Sequence, residues 1–163
     1  MLKKCISSRP VTLTLLSPLV LAAAFLSGCM HSAPIAPQSS LSRENAISMA
    51  QGTADLMGGR VFTIAPTGSM KPTLDENSVV AIESVPFEKL RQGDIIIYRS
   101  ADGVPVVHRL YQQIHGRWLV LGDNNASIDR EAVTPDNIIG RVCAIFYSSP
   151  GSQSASATAL AQR

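Results

Sequence analysis

Between Val61 and Tyr147 the sequence is cut into short runs rich in β-branched residues. They are Val61 to Ala65, Val79 to Val85, Ile95 to Tyr98, Val104 to Leu110, Trp118 to Leu121 and Ile138 to Tyr147. Proline, glycine, aspartate and asparagine separate them, and runs of this length with such punctuation specify strands rather than helices. Asp75-Glu76-Asn77 and Arg91-Gln92-Gly93-Asp94 carry the side chains that favour tight turns. A chain built this way folds as a mainly β, antiparallel domain, here spanning residues 60–147.

The pattern upstream is different. From Leu41 to Met57, Ile47, Ala50, Ala54 and Met57 recur at spacings of three and four, which predicts one short helix within residues 41–59. Ser42 suits its N-cap and Gly58-Gly59 its end. The expectation is that the apolar face packs on the β domain. Residues 148–163 are serine, alanine, glycine and glutamine with few large side chains, and read as a disordered tail.

Residues 1–28 are a third kind of segment. Lys3, Lys4 and Arg9 precede an apolar run from Val11 to Leu26 that Pro18 interrupts, a pattern expected of an export signal. Two alternatives for its end need no lipid: an uncleaved transmembrane anchor, for which the run is shorter than the roughly 20 apolar residues needed, and ordinary cleavage near Ala22-Ala23-Ala24. Leu26-Ser27-Gly28-Cys29 resembles the bacterial lipobox, which implies removal of residues 1–28 and lipidation of Cys29. Residues 29–40, with two prolines and no apolar period, would then be a flexible tether. The resemblance implies a protein anchored by acyl chains in the bacterial cell envelope, with its β domain facing the periplasm or the outside. Met30 stands where an aspartate would resemble an inner-membrane retention signal, which favours the outer membrane.

Composition narrows the partners. Of 163 residues 45% are hydrophobic and 16% charged, with a net charge of +2, so neither a disordered acidic chain nor a basic nucleic-acid binder fits. Without residues 1–28, eleven basic residues face twelve acidic ones. Three cysteines leave only Cys143 in the mature body, where it reads as a small core residue. His31, His108 and His115 have no ligand-like spacing, so no metal and no cofactor is expected.

Three segments carry candidate chemistry. Pro66-Thr67-Gly68-Ser69-Met70-Lys71-Pro72-Thr73-Leu74 puts a serine in a turn after a strand, where its hydroxyl and a neighbouring N–H can both be exposed. Taken alone this is ordinary turn chemistry. Val106-Val107-His108-Arg109-Leu110 puts a histidine inside a strand, which by itself is more often a satisfied core residue than a base. Gly122-Asp123-Asn124-Asn125-Ala126-Ser127-Ile128-Asp129-Arg130 is a polar loop with two aspartates.

In combination, Ser69-Met70-Lys71-Pro72-Thr73-Leu74, Gly93-Asp94-Ile95-Ile96, His108-Arg109 and Gly122-Asp123-Asn124-Asn125 resemble, in order, the motif boxes of the type I signal peptidase family. The resemblance runs from about Val61 to Val142. It implies a signal-peptidase/LexA-like antiparallel β domain lying against the membrane, with Ser69 as nucleophile. Bacterial members use a lysine well downstream of the serine, yet no lysine follows Lys89 here. His108 stands where the endoplasmic-reticulum and archaeal branch carries its histidine, and the same branch implies Asp129 as the third catalytic residue. Asp123 is the alternative acid, read as structural. The resemblance also implies an oxyanion site formed by the Ser69 N–H and the Thr67 hydroxyl.

The expected function is therefore a membrane-anchored serine endopeptidase cleaving signal-peptide-like segments of exported proteins. Its partners would be peptide substrates and, through Cys29, the bilayer. Two alternatives stand beside it: a catalytically silent lipoprotein that binds an envelope partner, and a self-cleaving enzyme like the related repressor peptidases.

Overall fold

The computed structural model describes residues 35–151. The expected export signal, Cys29, the start of the expected tether and most of the expected tail lie outside the described residues. One helix, α1 (Arg43–Met57), precedes six strands: β1 (Arg60–Thr63), β2 (Ser78–Glu83), β3 (Ile95–Arg99), β4 (Pro105–Ile114), β5 (Arg117–Leu121) and β6 (Ile138–Tyr147). They form one antiparallel sheet in the order β1-β2-β6-β3-β4-β5, so the described residues are mainly β, with a single α-helix and a short 3-10 turn at Phe87–Lys89, as the strand pattern requires.

α1 is capped as the sequence indicates. Ser42 Oγ accepts from the Asn45 N–H, and Gly58, in the left-handed region at φ 61°, lets the Gly59 N–H return to Ala54 O at 2.7 Å. Its buried face differs from the expected one. Ala46, Ala50 and Ala54 are fully covered, whereas Ile47 and Met57 remain partly exposed. The stripe is made of alanines because α1 lies close on β1, β2 and β6, where Val79 meets Ala46 and Ala50. Two long side chains would hold the helix off the sheet.

The sheet separates two further cores because side chains alternate along each strand. Ile96 and Tyr98 of β3 join Leu110, Trp118, Val120 and Val133 on one side. Ile97 joins Ile64, Met70, Leu74, Val80 and Ile82 on the other. Met70 and Leu74 belong to the long connection between β1 and β2, so burying them fixes that connection against the sheet.

Four local outcomes depart from the sequence reading. β4 runs on to Ile114 and turns at His115-Gly116, both with positive φ (49° and 73°), as a two-residue hairpin demands. Ala36 is buried and the Ser39 hydroxyl donates to the Tyr147 carbonyl, so the described end of the expected tether rests on the body. At the other terminus Ser148 is buried, its N–H and hydroxyl donating to Asn77 O at 2.9 and 2.8 Å, and Ser149 N–H donates to Leu41 O. The ordered body therefore extends past residue 147. Cys143 is half-buried rather than a core residue; its thiol donates to Ala81 O at 3.3 Å, and burial raises its pKa. No helix among the described residues is long and apolar enough to cross a membrane.

Candidate active site

Ser69 sits in the β1–β2 connection between Gly68 and the buried Met70. Gly68 has φ 74°, which an L side chain rarely adopts, and the Lys71 N–H donates to its carbonyl at 3.2 Å. The resulting turn aims the Ser69 hydroxyl at β4. There His108 Nε2 lies 3.2 Å from Ser69 Oγ. His108 is only 6% exposed and pairs with Ile96 of β3, which fixes its backbone.

Asp129 reaches the far side of the ring. It belongs to the β5–β6 connection, tied to the sheet where its N–H donates to Val120 O at 3.0 Å. His108 Nδ1–H donates to Asp129 Oδ2 at 2.5 Å, which leaves Nε2 as the acceptor facing the serine hydroxyl. The same Oδ2 accepts from the Tyr98 hydroxyl at 2.7 Å.

Asp123 is turned elsewhere. Arg109 donates to it through Nε at 2.8 Å and Nη2 at 2.7 Å, and the Thr73 hydroxyl donates at 2.5 Å. Burial pushes the Asp123 carboxyl up, but the bonds from Arg109 and Thr73 and the charge of Arg109 outweigh it, so the carboxyl lies below the usual range. The next residue closes the loop onto the serine turn: Asn124 donates through its N–H to Ser69 O at 2.8 Å and through Nδ2 to Gly68 O at 3.2 Å. Gly122 is needed for that approach, because a Cβ there would stand 2.6 Å from Ser69 O.

Of the other residues singled out in the sequence, Thr67 Oγ1 is 3.4 Å from Ser69 Oγ and accepts weakly from the Ser69 N–H at 3.5 Å. The Thr67 hydroxyl therefore lies against both the N–H and the hydroxyl of Ser69. Lys71 is directed away, its Nζ 3.7 Å from Glu76. Arg109 had no role legible in sequence; its Nη1 also donates to Gly93 O at 2.8 Å, joining the Gly93-Asp94 turn to Asp123. Tyr98 gives no signal in sequence because it reads as one more strand aromatic. Cys29 lies outside the described residues. Among the described residues no three His, Cys, Asp or Glu side chains gather as a metal site.

Ser69 and His108 open on a cavity of about 380 Å³ with mostly apolar walls, including Ile64, Met70, Leu74, Ile97 and Val107. Two strand edges border it. Among the described residues β1 pairs only with β2, and β4 pairs with β5 only from Arg109 onward, so the edge of β4 before Arg109 is open beside the site. A serine, a histidine accepting from it and a carboxylate behind the ring form an arrangement able to activate a hydroxyl for acyl transfer.

The family model described as Peptidase S24-like matches residues 31–143, well over half of the chain. The chain belongs to the Peptidase S24-like family. That membership makes the protein a serine peptidase by class, and the six-stranded antiparallel sheet with one helix is consistent with the S24-like β fold. The matched S24-like region contains Ser69, His108, Asp123 and Asp129. No curated protein and no solved structure matches the chain.

Proposed function

We propose that this S24-like protein is a membrane-anchored serine endopeptidase that cleaves signal-peptide-like segments of exported proteins, in the manner of a type I signal peptidase. The observation that carries the reading is the hydrogen-bonded series Ser69–His108–Asp129 at the mouth of an apolar cavity. An extended peptide would add itself to the open edges of β1 and β4 through main-chain bonds, with apolar side chains in the cavity.

Ser69 Oγ attacks the scissile carbonyl carbon while His108 Nε2 takes the hydroxyl proton. The carbonyl oxygen becomes an oxyanion that accepts from the Ser69 N–H and the Thr67 hydroxyl. Asp129 holds the Nδ1–H and stabilises the imidazolium. Collapse breaks the C–N bond, His108 returns the proton to the leaving amine, and the acyl group stays on Ser69. Water, deprotonated by His108, then releases the acid and restores the serine.

Lipid on Cys29 would hold the enzyme at the envelope membrane where such segments emerge, and the several acyl chains of a lipoprotein suffice for stable anchoring where one does not. The purified full-length chain and its Ser69→Ala variant, each incubated with a panel of exported precursors, test the reading by mass spectrometry of new termini. Cleavage by the wild type alone supports it, and equal behaviour overturns it. Family membership favours one second reading, self-cleavage; loss of mass from the wild-type chain but not from Ser69→Ala would establish that instead.

A further inference from the structure

We propose that Tyr98 is a positioning residue of this site, its hydroxyl fixing the Asp129 oxygen that holds His108. The inference rests on the peptidase reading and deepens it. Tyr98 is on β3, opposite Val106 of β4 and two positions from Ile96, the partner of His108, so Tyr98 and His108 share a face of the sheet. Its ring is embedded with Ile96, Leu110, Trp118 and Val120 and is 3% exposed. The phenol therefore has little freedom, and its oxygen is delivered to one point by the core.

That point is Asp129 Oδ2, at 2.7 Å. Asp129 comes from an irregular connection and needs such a fixed partner, because a carboxylate on a loop otherwise samples several rotamers. With Tyr98 and His108 both donating to Oδ2, the carboxylate is held in place behind the ring and its charge is divided between two donors. Burial, then the bond and charge of Asp129 and the charge of Glu131, drive the Tyr98 phenol above its ordinary pKa, so it stays a donor wherever the site functions. The charged and titratable groups around this pair are Glu131 beside Tyr98, Asp123 with its partner Arg109 from the loop and β4, and Ser69 from the β1–β2 connection.

The alternative is a structural one, in which Asp129 merely satisfies a buried phenol. Tyr98→Phe keeps the ring and removes only the donor, so it separates the two. In the full-length variant kcat should fall roughly tenfold with KM little changed. The acid limb of its rate profile should move to higher pH, since a carboxylate relieved of one donor holds the imidazolium more strongly. The proton on His108 Nδ1, observed by NMR as a far-downfield resonance and assigned by its loss in His108→Gln, should also shift. A lower melting temperature with unchanged kcat, acid limb and resonance would overturn the proposal. If no precursor is cleaved by the wild type, the peptidase reading fails by itself. The resonance then still decides the matter: a shift in Tyr98→Phe supports positioning and an unmoved one contradicts it.

Discussion

Arg109 grips Asp123 through Nε and Nη2 at 2.8 and 2.7 Å, and this pairing leaves Asp129 as the carboxylate behind His108. Arg109 directly follows His108 in β4, so its side chain leaves the strand on the opposite face and collects the other aspartate of the same loop. The pair pins the loop whose Asn124 holds the Ser69 turn.

Breaking that pair should loosen the site without touching the serine. Arg109 is partly exposed, so the loss in Arg109→Gln is about 1–2 kcal/mol rather than the full value of a buried charged bond. The melting temperature should drop by roughly 3–8 °C, measured by calorimetry, with cleavage reduced but not abolished.

The same carboxylate gives a pH dependence with a definite sign. The Asp123 carboxyl is depressed in the folded state, so its contribution is complete above the ordinary aspartate value and is lost as pH falls through the lower folded value. The melting-temperature difference between wild type and Asp123→Asn should be constant near neutrality and close progressively below about pH 4.

Gly122→Ala should damage catalysis more than stability. Its Cβ would meet Ser69 O at 2.6 Å and the Asn125 amide at 2.8 Å, so the serine turn has to move. A displacement of several tenths of an ångström at the nucleophile should lower kcat by roughly ten- to a hundredfold. A variant that cleaves at the wild-type rate would show that this contact does not set the position of Ser69.

Lys71→Ala bears on the base. Lys71 pairs loosely with Glu76 at the surface, so the substitution should leave cleavage within about twofold and stability within roughly 0.5 kcal/mol. Loss of activity here, with His108→Ala still active, would reassign the base to lysine.

The sheet was legible in the sequence because its strands are short, β-branched and bounded by turn residues; β6 runs from Ile138 to Tyr147 as the pattern predicts. Tyr111 to Ile114 were not, since Tyr-Gln-Gln-Ile lacks that composition, although His115-Gly116 marks the turn. The helix was legible but its buried face was not: periodicity weights Ile47 and Met57, whereas close packing on β2 selects alanine. Ser69 and His108 could be named from ordered motifs, and the resemblance implied Asp129 with Asp123 as the alternative acid. Which aspartate stands behind the ring depends on where one loop is pinned, and that is decided by Arg109 and Tyr98, contacts between positions far apart in the chain.

The central claim is that Ser69 and His108 act as one catalytic unit. Its most direct test is the rate of precursor cleavage by full-length Ser69→Ala, His108→Ala and the double variant, measured side by side. Residues that act as a unit lose activity non-additively, so all three should fall to the same residual rate, at least roughly 10³-fold below wild type. Wild-type cleavage by either single variant would contradict the account.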